Sequence, residues 1–151
     1  MAKSILVVDD SKTQLKIISR IIAAEGFAVD TADSGSLALS TISKTKYDLV
    51  LTDLEMPNVD GAELLRHIAV RQPGQAVGVI SGRGPNLLKA AMGLAKLHGL
   101  TLFGAYEKPL SQDSFVMELH RFFERQDNLA QQAAPASKGG EQLDLETVKA
   151  D

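Results

Sequence analysis

Apolar positions along the chain switch repeatedly between two spacings. "SILVVDD", residues 4–10, is a β-branched run without polar interruption before Asp9, which predicts a strand buried on both faces. "SKTQLKIISRIIAAEG" then spaces Leu15, Ile18 and Ile22 for one helical face. Ser11 and Gln14 are placed as a capping box, and Gly26 ends the helix. "FAVDTA" predicts a short strand, "SGSLALSTISKTK" a weaker helix, and "YDLVLTD" a second buried strand that runs into Pro57 and Gly61. The alternation continues with "GAELLRHIAVRQ" as a helix and "QAVGVIS" as a strand. "PNLLKAAMGLAKLHG" follows as a helix with Pro85 in its first turn, then "LTLFGAYEKP" as the last strand. "SQDSFVMELHRFFERQ" closes the series with Phe115, Leu119 and Phe122 on one helical face. Strict alternation of this kind implies right-handed crossovers and a parallel sheet covered on both sides, an α/β fold.

The pattern stops at Gln126. "DNLAQQAAPASKGGEQ" is rich in Ala, Gln, Ser and Gly without apolar periodicity, so the division expected is a domain over 1–125 and a flexible linker or tail over 126–151. The final "LDLETVKAD" is long enough for about two helical turns, marginal in isolation.

Composition narrows the function. A chain of 151 residues, 44% hydrophobic, can bury the core of one domain with something left over. A net charge of −3 and the lack of a Lys/Arg run give no basis for direct nucleic-acid binding. With no cysteine, thiol catalysis, thiolate metal sites and disulfides are excluded. "MAKSILVVDD" reaches two acids before any long apolar segment forms, and no stretch is long enough to cross a bilayer; a soluble, cytoplasmic protein with no membrane partner is expected. His67, His98 and His120 fall in predicted helices without a shared spacing, so they carry no metal or catalytic assignment.

Candidate chemistry collects at strand ends. In an open parallel α/β sheet, ligands sit beyond the carboxyl ends of the strands. Asp9 and Asp10 end the first strand, Asp53 the third, Ser81 the fourth, and Lys108 follows the fifth. Taken singly these are ordinary: a solvated strand end and helix cap, a strand terminator, a structural serine, a surface lysine before a turn. Brought together, close carboxylates repel and invite a hard cation such as Mg²⁺. A hydroxyl and an ammonium suit phosphoryl oxygens, and Asp53 can act as a carboxylate nucleophile.

In combination, the acid pair Asp9–Asp10, "TDLEMPNVDG" around Asp53, Ser81–Gly82 and Lys108–Pro109 make residues 4–125 resemble a response-regulator receiver domain, CheY-like. The resemblance implies a flavodoxin-like (βα)5 fold, a doubly wound parallel sheet of five strands in the order 2-1-3-4-5. It implies Mg²⁺ held by Asp10, Asp53 and the backbone carbonyl of Glu55, with Asp9 acting partly through water. It implies transfer of a phosphoryl group to Asp53 from a histidine kinase or phosphotransfer protein, with Ser81 and Lys108 holding the phosphoryl oxygens. A downstream output protein or domain would read the change on the surface of the helix at 86–98, the strand at 101–106 and the helix at 112–125. The surplus of apolar residues on those helices also favours a homodimer.

Receivers often carry Tyr or Phe three residues before the lysine; here that position is Ala105, with Tyr106 one place later. Either the strand register shifts or the aromatic switch is absent. "AKLHGLTLFGAYEKPL" is also similar to receivers that precede EAL-type cyclic-di-GMP phosphodiesterase domains. Two other readings remain: a module that binds partners without phosphorylation, and a small aspartyl-phosphate phosphatase with Glu55 as general acid.

Overall fold

The computed structural model describes residues 2–56 and 59–133. Strands β1 (Ser4–Val8), β2 (Ala28–Ala32), β3 (Leu49–Asp53), β4 (Ala76–Ser81) and β5 (Thr101–Glu107) form one parallel sheet in the order β2-β1-β3-β4-β5. This is the flavodoxin-like order expected, with crossovers through α1 (Lys12–Ala23), α2 (Gly35–Lys44), α3 (Gly61–Arg71) and α4 (Pro85–Leu97). A short antiparallel pairing of Glu55–Met56 with Val59–Asp60 leads from β3 towards α3.

Burial explains why β3 is continuously apolar and β2 is not. All five residues of β3 are buried between β1 and β4, whereas at the edge only Ala32 of β2 is. One sheet face, with Leu6, Val8, Val50, Val77 and Val79, joins the buried residues of α2, α3 and α4 in a single core. The alternate residues Ile5, Val7, Leu49, Leu51 and Ile80 turn to the other face. Ile18 of α1 lines a common groove with Ile80 on that side.

One local detail corrects the sequence reading, and a second decides an alternative that it left open. The Ser11 hydroxyl caps α1 by accepting from the Gln14 N–H at 3.2 Å, but the other half of the box is not made by Gln14: the Ser11 N–H donates to Asp9 Oδ1 at 2.9 Å. A carboxylate two residues upstream is closer and charged, so it takes the donor that a capping-box side chain would otherwise satisfy.

The second detail is a bulge in β5. Leu102 opposes Val77 and Gly104 opposes Gly78, so Phe103 is an extra residue and the alternation shifts there. A Cβ on Gly78 would lie 2.7 Å from Leu51 Cδ2 and 2.8 Å from Phe103 Cδ2; one on Gly104 would lie 2.7 Å from the Tyr106 hydroxyl. The two glycines therefore make the room that the rings of Phe103 and Tyr106, 5.4 Å apart, occupy. Beyond the bulge Ala105 opposes Val79 and packs against the α2–α4 core, while Tyr106 opposes Ile80 on the other face. The register does shift, and the residue that meets the α4 side is still the small one.

Helix α5 (Gln112–Ala133) buries Phe115, Leu119 and Phe122, as its spacing predicts, and Phe123 as well. It continues to Ala133, so residues 126–133, expected as linker or tail, are helical. Apolar periodicity reports a buried face, not helicity; "DNLAQQ" is exposed yet rich in good helix formers. The expected helical turns at "LDLETVKAD" lie outside the described residues. Among the described residues no helix is long and apolar enough to cross a membrane.

Candidate functional site

The strand ends bring the expected residues together. Asp9 follows β1 and is 2% exposed; Asp53 ends β3 and is equally buried; Ser81 ends β4 with no exposure. Asp10 is exposed beside them, and one carboxylate oxygen from each of Asp9, Asp10 and Asp53 lies within 4.8 Å of the others. Three oxygen donors at that separation fit a small hard cation. The Lys108 ammonium lies 3.3 Å from Asp9 Oδ2 and 3.2 Å from Asp53 Oδ2. The Lys108 N–H donates to the Ser81 carbonyl at 3.0 Å, which continues the β4–β5 pairing to the lysine, and the Lys108–Pro109 peptide is cis.

Electrostatics follow from burial and these partners. Burial pushes the Asp53 carboxyl above the usual range; the Glu55 N–H, donating to Asp53 Oδ1 at 3.1 Å, opposes it, the Asp9 charge adds to it, and Lys108 draws it back. Burial alone would lower the Lys108 ammonium, but Asp53 and then Asp9 outweigh it and leave its affinity for a proton raised.

One arrangement was not foreseen. Glu55 entered the sequence reading through its backbone carbonyl and, in the phosphatase alternative, as a general acid; its side chain instead folds across the site as a hydrogen-bond acceptor. Glu55 Oε2 accepts from the Ser81 hydroxyl at 2.7 Å and from the Gly82 N–H at 2.7 Å. The Ser81 bond, above all, holds the Glu55 carboxyl below its ordinary range. The Arg83 N–H donates to Ser81 Oγ at 3.0 Å. The only sequence signal was the position, an acid two residues after Asp53.

Ala105 and Tyr106, the expected switch region, stand on opposite faces of β5 after the bulge.

The family model for the response regulator receiver domain matches residues 5–119. The transcriptional regulatory protein GlrR of Escherichia coli (strain K12) is 30% identical over 135 residues, covering 88% of this chain and 27% of that protein. The chain thus spans about a quarter of the length of that curated relative. A response regulator receiver domain protein from Clostridium thermocellum superposes with a TM-score of 0.71 at 29% identity, covering 85% of this chain and 99% of that one. The beryllofluoride-activated NtrC4 receiver domain dimer gives 0.71 at 28% identity, over 81% and 97% of the two chains.

Proposed function

Since the chain belongs to the response-regulator receiver family, we propose that it is a phosphorylation-switched module whose phosphoacceptor is Asp53. The observation that carries this reading is the Lys108 ammonium bridging the buried carboxylates of Asp9 and Asp53 at 3.3 and 3.2 Å. It gives the nucleophile a cationic neighbour against which transferred charge can be balanced. Asp9, Asp10, Asp53 and the Glu55 carbonyl would hold Mg²⁺, which supplies further neutralisation of phosphoryl oxygens when bound.

The transfer is a simple exchange. The P–N bond of a phosphohistidine on the kinase or phosphotransfer partner breaks, the imidazole keeps the electron pair and takes up a proton, and an Asp53 carboxylate oxygen bonds to phosphorus. Lys108 holds one phosphoryl oxygen and Ser81 another. Attack of water on phosphorus later releases inorganic phosphate and restores the carboxylate.

Output passes through α4 and β5, where Leu97, on the side of α4 away from the buried Leu88, Ala91 and Ala95, is 78% exposed. A homodimer joins an output protein among the partners, on the precedent of the NtrC4 receiver. The phosphatase alternative is disfavoured by Glu55 itself: two donors hold its carboxyl ionised, the reverse of what a general acid needs.

Intact-mass measurement after incubation with a small acyl-phosphate donor tests the reading. One phosphate per chain is expected with Mg²⁺, and none after chelation or in Asp53→Asn. An Asp53→Asn protein that gains phosphate at the wild-type rate would overturn the assignment, and many turnovers of donor would point to an enzyme.

A further inference from the structure

Two donors at the end of β4 converge on one oxygen. The Ser81 hydroxyl and the Gly82 N–H each lie 2.7 Å from Glu55 Oε2, a spacing proper to a charge-assisted bond. The orientation of the hydroxyl is fixed as well. Ser81 Oγ already accepts from the Arg83 N–H at 3.0 Å, so its single proton is left to point at the acceptor on the other side. A Cβ on Gly82 would make only ordinary van der Waals contacts, 3.7 Å from Glu55 Oε2 and 4.0 Å from Lys108 Cβ, so Gly82 contributes through its N–H rather than through the lack of a side chain. Ser81, Gly82 and Lys108 thus form a cradle for anionic oxygen beside Asp53, and a carboxylate of the chain itself lies in it.

We propose that the Glu55 side chain is an internal occupant of this anion cradle, and that it must swing out before Ser81 and Gly82 can receive a phosphoryl group carried by Asp53. The inference rests on the phosphorylation reading above and adds a residue that sets how readily the domain accepts the group.

The covalent layout permits such a motion. The backbone of Glu55 is tethered by its N–H to Asp53 Oδ1 at 3.1 Å, while its side chain is only partly buried and has solvent to turn into. Side-chain rotation suffices, so exchange of one anion for another costs no rearrangement of β3. A phosphoryl group competes with Glu55 for the same two donors, and the domain's affinity for phosphoryl mimics is lowered by whatever those two bonds are worth. Loss of the carboxylate frees the cradle. Loss of reach without loss of charge distinguishes occupancy from simple repulsion.

The experiment is a beryllofluoride titration of the full chain at saturating Mg²⁺, read by the amide NMR resonances of Ser81 and Gly82 in the wild type, Glu55→Ala and Glu55→Asp. Without beryllofluoride, the Gly82 amide of Glu55→Ala is expected to move to the position of a weaker hydrogen bond. Its apparent dissociation constant for beryllofluoride is expected to fall by roughly tenfold, the scale of one charge-assisted bond. In the beryllofluoride-bound state the Gly82 resonances of wild type and variant should converge. An unmoved Gly82 amide, or an unchanged affinity, in Glu55→Ala overturns the proposal. Glu55→Asp keeps the charge on a side chain one methylene shorter. If its Gly82 amide is released and its affinity tightens, or if both keep their wild-type values because aspartate still reaches the cradle, occupancy is supported. A released amide with wild-type affinity shows that charge alone matters and overturns it. Failure of the phosphorylation reading looks different: neither wild type nor Glu55→Ala would bind beryllofluoride or gain phosphate on Asp53, whatever Gly82 does in the free proteins.

Discussion

Tyr47 anchors the entry to β3 through its side chain and its backbone. Its ring is buried, its hydroxyl donates to Asp30 Oδ2 at 2.6 Å, and its carbonyl accepts from the Gln75 Nε2 at 3.1 Å. Burial first, and then the Asp30 carboxylate, push the phenol from its ordinary value near 10 up to about 12. A raised value favours the neutral phenol in the folded state. The resulting stabilisation is present in full below the unfolded value of 10.0 and is lost as the pH rises through about 12. Of the two tyrosines, one is therefore expected to form phenolate near pH 12, followed by absorbance. Tyr47→Phe should abolish that step and cost about 0.5–1.5 kcal/mol in urea unfolding at neutral pH, one net hydrogen bond. A step that survives in Tyr47→Phe would assign it to Tyr106 instead. At this scale much of the site was legible, because carboxylate, hydroxyl and ammonium at strand ends carry their chemistry wherever they are placed. The Glu55 side chain was not, since the direction it takes depends on donors contributed by another strand.

Among the elements, β5 departs most from simple alternation. Its bulge at Phe103 works only because Gly78 on the neighbouring strand leaves space where Leu51 Cδ2 and Phe103 Cδ2 meet. Gly78→Ala would put a methyl within 2.8 Å of both, and neither ring nor branched side chain can retreat without repacking the sheet face. A loss of about 1–3 kcal/mol is expected in urea unfolding. The smaller part of that range is expected for Gly104→Ala, where the obstacle is the far end of the Tyr106 ring. Equal, negligible costs would mean that the bulge is not held by these contacts. The five strands of the parallel sheet and the five helices among the described residues were readable from sequence because buried parallel strands and amphipathic helices leave different periods. The bulge was legible only as one of two alternatives at Ala105 and Tyr106, because one extra residue in "LTLFGAYEKP" changes which face each later residue takes without changing composition. The end of α5 was missed for the converse reason: exposed Ala, Gln and Leu make helix without leaving an apolar stripe.

On the scale of the molecule, the acidic pocket joins stability to function. Folding takes the Asp53 carboxylate out of water and sets it near the Asp9 charge, and Lys108 together with the Glu55 N–H only partly offsets this, so its affinity for a proton is raised. A carboxyl raised above its unfolded value makes folding less favourable once it is ionised; metal-free stability therefore falls as the pH climbs through the folded value and recovers below it. Asp53→Asn removes the buried charge, and its amide oxygen can still accept from the Glu55 N–H. In chelator at neutral pH the variant is expected to melt above the wild type, with the gap closing as the pH is lowered and the wild-type carboxyl takes up its own proton. Mg²⁺ should reverse the order. A cation that binds only the folded wild type adds about 2.7 kcal/mol at a hundred times its dissociation constant, whereas the variant lacks one of the proposed ligands and should respond weakly. Thermal melts of both proteins across pH, with and without Mg²⁺, decide the matter. If Asp53→Asn melts below the wild type in chelator and gains as much from Mg²⁺, then Lys108 already balances the pocket, and the cation has no charge there to relieve.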